Sequence, residues 1–406
     1  MGMNETPSAN RVHIGIFGRR NAGKSSLLNA VTGQNLAVVS DVKGTTTDPV
    51  IKAMELLPLG PVVLIDTPGI DDEGLLGQKR MEKSAQILNK TDLAIFVLDG
   101  AAQMGKTELD DIEKQMIARF AEKKIPYMVA VNKSEVIDEK TKAEITGFFG
   151  KDIPALFVSA KTGYNIYELK ETAAKLIPAQ ELTGRIVGDF LDPYDLAVLV
   201  VPLDASAPKG RLILPQQQVI RDCLEVGAIP VVTKETELLE TFRSLAKKPK
   251  VVITDSQAFE RVSKETPEGV FLTSFSILFS RLKGDLEQQV LGAKALRLLK
   301  DGDTALICEG CTHHRQCEDI GTVKLPRWIE RFTGKKIHFQ FTGGGQFPKD
   351  LSRYALIVHC GGCTLNEREM KYRLKCAKDA GVPVTNYGLA IAYMHGILDR
   401  SLEIFR

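Results

Sequence analysis

"VHIGIFGRRNAGKSSLLNAV", residues 12–31, decides the fold of the N-terminal part of this chain. Its first seven residues form an apolar run of the kind that a buried strand carries. The run passes directly into Gly18-x-x-x-x-Gly23-Lys24-Ser25, a complete P-loop. Glycines there let backbone N–H groups turn inward around phosphates. Lys24 suits the β- and γ-phosphate oxygens, and Ser25 offers its hydroxyl to Mg2+. "KSSLLNAV" continues as the helix that the motif requires. Strand, loop and helix in this order predict a nucleotide domain. Gly18, Arg19, Arg20, Asn21, Ala22, Gly23, Lys24, Ser25 and Ser26 are its expected phosphate-binding stretch.

The other parts follow in order. "PVVLIDTPG" (61–69) reads as an apolar strand delivering Asp66 to its carboxyl end, where it can hold Mg2+ through water, with Gly69 just beyond. "VKGTTTD" (42–48) is a polar loop suited to ordering around a γ-phosphate, and Thr46 is the expected second hydroxyl on Mg2+. Lys24, Thr46 and Asp66 make the expected catalytic set. "YMVAVNKSE" (127–135) supplies Asn132, Lys133 and Glu135, and "LFVSAKTG" (156–163) supplies Ser159, Ala160 and Lys161. Each follows a β-rich run, which places them all on one edge of a parallel sheet.

Residues 12–178 resemble the G domain of translation-factor-related GTPases of the TrmE and Era type. "NKSE" matches their guanine-reading Asn-Lys-x-Asp except that Glu135 replaces aspartate, and the extra methylene loosens the reach to the guanine edge. GTP is the expected nucleotide. Ile70 follows "DTPG" in place of the glutamine that orients water in many GTPases. Asn21 resembles the asparagine by which potassium-activated GTPases hold K+ beside the phosphates; its alternative role is to cap a turn. The resemblance therefore implies slow GTP hydrolysis stimulated by K+, which would supply the positive charge of an arginine finger.

Composition narrows the remaining classes. The 53 basic and 51 acidic residues leave a formal net charge of +2, which makes no electrostatic case for nucleic acid. No apolar run approaches a membrane span, and "MGMNETPSANR" lacks a positive-then-apolar leader, so a cytoplasmic location is expected. Six of the seven cysteines fall after residue 300, and five of those lie in "CEGCTHHRQC" (308–317) and "HCGGC" (359–363). Such clustering favours metal over a disulfide framework.

Proline and glycine in "LIPAQELTG" (176–184) mark a boundary near 180. Strand and helix patterns then alternate from "LAVLVVPL" (196–203) to "KVVITD" (250–255), a small α/β unit with no phosphate loop. Its loop "PLDASAPKGRLILPQQ" (202–217) is read either as a docking element or as a plain connector. Further on, "DTALICEGC" and "YALIVHCGGC" are both apolar strands ending in ligands. Their glycines permit the tight turn that aims two thiolates at one centre. Spacing alone leaves two readings open. Cys308-x-x-Cys311 with Cys360-x-x-Cys363 is a formal four-cysteine zinc set, and an iron–sulfur cluster fits the same residues.

The whole pattern, with "CTHH", "DIGTVKLPRW", "HCGGC" and "GVPVTNYGLAIAYMHGIL" behind a G domain, resembles the maturation GTPases of iron-only hydrogenases, the HydF family. The resemblance implies an α/β chain in three parts. These are a P-loop GTPase domain over 1–180, a dimerisation domain over 181–266 and an iron–sulfur cluster-binding domain over 267–406. It also implies a [4Fe–4S] cluster on Cys311, Cys360 and Cys363. His313, His359, a carboxylate such as Asp204 from the partner subunit, or solvent would take the fourth position. Cys308 and Cys317 lie outside that motif. Such proteins look like homodimeric scaffolds that receive a two-iron precursor made with two radical-SAM maturases and deliver it to the hydrogenase apoprotein. The alternative reading is a zinc-containing GTPase of RNA modification or ribosome assembly.

Overall fold

In the computed structural model, the apolar run Val12–Gly18 forms strand β1, buried along its whole length. The structure describes residues 8–33, 50–57, 59–70, 83–150, 152–177, 184–202, 212–310 and 319–406. Thr46, Asp204, Cys311, His313, His314 and Cys317 lie outside the described residues. The chain divides into two units, Met1–Thr183 and Gly184–Arg406.

The first unit is built on a six-stranded sheet. Its strands are β1, β2 (Val50–Leu56), β3 (Gly60–Asp66), β4 (Leu93–Asp99), β5 (Tyr127–Asn132) and β6 (Ala155–Phe157), in the order β2-β3-β1-β4-β5-β6. All neighbours are parallel except β2, which runs antiparallel to β3 at the edge. The sheet is therefore mixed rather than purely parallel. β2 alternates exposed and half-buried residues, which suits a strand with one wet face. Side chains of the buried strands alternate between two apolar clusters, Ile14, Ile16, Leu64 and Val97 on one face and Phe17, Ile65, Phe96 and Leu98 on the other. The parallel strands align their carboxyl ends along one edge, and the loops after β1, β3, β5 and β6 leave from that edge.

The second unit holds two parallel four-stranded sheets. One has the order β10-β9-β7-β8, from β7 (Leu196–Val200), β8 (Ile229–Thr233), β9 (Val251–Thr254) and β10 (Phe271–Ser274). The boundary expected at 266 falls inside this sheet, because β10 sits in the apolar run "VFLTSFSILF", which also reads as the start of a helix. The other sheet has the order β12-β11-β13-β14, from β11 (Thr304–Glu309), β12 (His338–Gly343), β13 (Leu356–His359) and β14 (Val384–Asn386). The two sheets share helix Tyr387–Met394. It gives Leu389 and Ala392 to the first sheet's core and Ala390 and Ile391 to the second's. No described helix is long and apolar enough to cross a membrane.

Candidate functional site

The P-loop leaves β1 at Gly18 and enters helix Lys24–Thr32. Two of its glycines are required by sterics. A Cβ on Gly18 would stand 2.3 Å from the Val97 carbonyl oxygen, and one on Gly23 would stand 2.2 Å from Asn132 Nδ2. Gly23 also takes φ 89°, and Asn21 takes φ 59°, both in the left-handed region. The Lys24 ammonium is buried and donates to the carbonyls of Gly18 at 3.0 Å and Arg19 at 2.7 Å, which fixes it inside the loop. Arg19 pairs with Asp110, the N-terminal cap of helix Asp111–Glu122.

Ser25 donates its hydroxyl to Asp66 Oδ2 at 2.5 Å, while Asp66 Oδ1 is buried and has no hydrogen-bond partner among the described residues. Burial pushes the Asp66 carboxyl above its ordinary range, opposed by the Ser25 hydrogen bond and the Lys24 charge. A carboxylate oxygen left open beside a serine hydroxyl is an oxygen donor set that suits Mg2+ and its waters, with the Lys24 ammonium placed for phosphate. Ile70 is buried in the apolar cluster with Phe17 and Ile65, so it presents no polar atom to a water.

The base-reading residues meet the same loop. Asn132 donates to the Ala22 carbonyl at 3.0 Å and accepts the Ala160 N–H at 3.0 Å. It thus ties the P-loop to the "SAK" turn, where Ser159 is buried and caps the Thr162 N–H. Lys133 sits at φ 62° and pairs with Asp99 at 2.6 Å. Glu135 and Lys161 are exposed at the rim.

In the second unit, the pleat of the sheet sorts the ligand candidates. Cys308 on β11 is paired in register with His359 on β13, so both face the side covered by helix Glu367–Asp379. Cys308 is fully buried among Leu306, Ile357 and Leu374, and burial pushes its thiol up to about 12. Burial of this kind disfavours the thiolate. Arg373 donates to His359 Nε2 at 3.0 Å, and His359 Nδ1 lies 2.9 Å from the Cys360 carbonyl. Both ring nitrogens are engaged, and burial pulls the His359 pKa down to about 3, so the ring is neutral with Arg373 on its Nε2. Cys360 instead packs toward Tyr387 and helix Tyr387–Met394 on the opposite face.

The Cys360 sulfur accepts the N–H of Gly310 at 3.0 Å and of Gly362 at 3.4 Å. Gly362 takes φ 63°, which folds "HCGGC" into its turn. Lys283 lies beneath, donating to the carbonyls of Leu365 at 2.8 Å and of Gly362 and Cys363 at 3.4 Å. Burial raises the Cys363 thiol, and Lys283 acts against that rise. A sulfur that accepts two amide N–H bonds, with an ammonium nearby, fits a cluster thiolate. Among the described residues no group of three His, Cys, Asp or Glu forms a complete metal site.

Comparison with known proteins places these units in a family. Residues 186–284 match the Hydrogen maturase F dimerization domain and residues 287–404 the Hydrogen maturase F tetramerization domain, together more than half of the chain. The chain belongs to the Hydrogen maturase F family. Its first unit carries a GTPase domain, since residues 13–133 match the 50S ribosome-binding GTPase model. Several curated relatives match about 40% of this chain. GTPase Der of Nitratidesulfovibrio vulgaris is 36% identical over 40% of this chain and 34% of its own length. The tRNA modification GTPase MnmE of Heliobacterium modesticaldum is 34% identical over 42% of this chain and 35% of its own. The chain thus spans about a third of the length of these relatives. Among solved structures, Era in complex with a GTP analogue and 16S ribosomal RNA is 19% identical, with a TM-score of 0.37 over 55% of this chain and 91% of that one.

As a Hydrogen maturase F, the chain carries dimerization and tetramerization domains where an RNA-modification GTPase with a zinc module was the alternative, and that alternative is not favoured. Four contributors escaped sequence reading. Asp99 ends the apolar run "LAIFVLDG", which was a legible signal. Lys283 and Arg373 sit inside helix patterns that look like solvated faces. Tyr387 has a buried hydroxyl without a hydrogen-bond partner among the described residues, close to Glu309 around Gly321, and only the fold brings it to Cys360.

Proposed function

We propose that this protein is a GTP hydrolase and iron–sulfur scaffold that assembles a two-iron precursor and delivers it to the immature iron-only hydrogenase. The observation that carries the scaffold half is the Cys360 sulfur, turned away from the buried Cys308 and held by two amide N–H groups. Cys311, Cys360 and Cys363 would hold a [4Fe–4S] cluster, with His313, Asp204 of a second subunit, or an exogenous ligand in the fourth position. His359 joins that set only where Arg373 releases its Nε2. When bound, the cluster supplies an iron with an exchangeable position at which cargo can dock.

In the G domain, backbone N–H groups of residues 18–26 cradle the phosphates and Lys24 neutralises their charge. Ser25 and Thr46 bind Mg2+, and Asp66 orients its water. Asn132 and Glu135 read guanine, backed by Lys133, Ser159, Ala160 and Lys161. Ile70 offers no water-orienting group, so hydrolysis is slow, and K+ held at Asn21 accelerates it. Matched assays in K+ and Na+ test this: faster turnover in K+ supports it, and equal rates contradict it. GTP ordering of "VKGTTTD" and "DTPGIDDEG" shifts partner affinity, and the homodimer exchanges cargo with two radical-SAM maturases and the hydrogenase apoprotein. The same affinity in GDP and GTP-analogue states would contradict that coupling.

A further inference from the structure

Helix Phe275–Lys283 ends the stretch matched by the dimerization domain, whereas the cysteine turn belongs to the tetramerization domain. One face of this helix runs beneath the turn. Near its start, Ser276 stands 3.5 Å from where a Gly361 Cβ would lie. Seven residues on, two helical turns along the same face, Lys283 makes its three hydrogen bonds to the carbonyls of Gly362, Cys363 and Leu365. Lys283 is only 4% exposed. Among the described residues no carboxylate lies within ion-pair distance of it. The Phe279 ring lies 5.4 Å from Nζ, and the Glu367 carboxylate acts on the ammonium only from beyond ion-pair distance.

A buried ammonium without a counter-anion is costly, and folds rarely keep one unless something negative completes it. Every hydrogen bond that this ammonium makes goes to the turn carrying Cys360 and Cys363. We propose that Lys283 is a positioning residue for the cluster site. It pins the cysteine turn to the dimerization domain and serves as the fixed counter-cation for the thiolate-bound cluster. The proposal rests on the iron–sulfur reading above. Its chemical consequence follows from charge. A nearby cation stabilises the more negative, reduced cluster, so removing it makes reduction harder.

The test uses full-length Lys283→Met, Lys283→Gln and Lys283→Arg, reconstituted anaerobically with iron and sulfide beside the wild type. Circular dichroism verifies folding, and EPR-monitored redox titration gives the midpoint potential. Loaded neutral variants should show a reduced-to-oxidised ratio about tenfold lower at a fixed poise, about 59 mV for a one-electron couple. Lys283→Arg should stay close to the wild type. Folded neutral variants that lose iron while Lys283→Arg keeps it also support the proposal. Neutral variants that load fully at the wild-type potential overturn it. If neither neutral variant folds, Lys283→Arg decides: wild-type iron and potential support the proposal, and a folded but empty protein overturns it. A wild type that takes up no cluster would instead refute the iron–sulfur reading itself.

Discussion

The P-loop and the cysteine turn both sit at the carboxyl ends of parallel strands with a buried lysine beside them, yet they are assembled differently. In the P-loop, the donors are consecutive backbone N–H groups, and the cation, Lys24, lies within the same eight-residue motif. At the cysteine turn, the sulfur's amide donors come from Gly310 and Gly362, and the cation, Lys283, comes from a helix in another domain. A local motif can be written in sequence and moved between proteins. A site closed by distant side chains is tied to its own packing. The difference predicts that damage to the first site stays confined to it, whereas damage to the second reaches the fold.

The largest test of that contrast is Arg373→Met. Arg373 is the largest fully buried side chain and bonds His359, Glu369 and the Gly344 carbonyl at once. Removing it leaves Glu369 and His359 unpaired and should cost about 3–5 kcal/mol, read by chemical denaturation of the full chain. Lys24→Ala is the counterpart at the P-loop. Its loss of phosphate neutralisation should lower GTP turnover by about 10²–10³, with iron content after reconstitution unchanged.

Asp66→Asn sharpens the comparison on the electrostatic side. The folded carboxyl holds its proton more tightly than the unfolded chain does. Its ionisation therefore costs stability as pH rises from 3.8 through the raised folded value, and that stability stays lost above it. The nucleotide-free variant should melt about 2–4 °C higher at pH 7, while Mg2+-dependent nucleotide affinity falls. A lower melting point would show that Asp66 is stabilised rather than strained by its surroundings. The smallest effect belongs to Cys308→Ala. It should lose about 1 kcal/mol from the small cavity and retain its iron, measured by metal analysis.

Sequence reading found the G domain because its chemistry is local. Strand β1, the P-loop, Asp66 and Asn132 are each announced by an apolar run ending in the functional residue. It found both cysteine strands for the same reason. Zinc and cluster could not be separated by spacing, because spacing does not say which face of a strand a cysteine takes. The register of Cys308 with His359 settles those faces, and register is a property of the sheet. Lys283 and Arg373 were illegible for a related reason: a cation on a helix reads as solvated until the fold covers it, the cysteine turn in one case and the sheet at His359 in the other.

Anaerobic reconstitution of the wild-type chain with iron and sulfide tests the central claim most directly. The account predicts a brown protein with about four iron atoms per chain and an EPR signal on reduction. A colourless protein that keeps zinc and takes up no iron would contradict it.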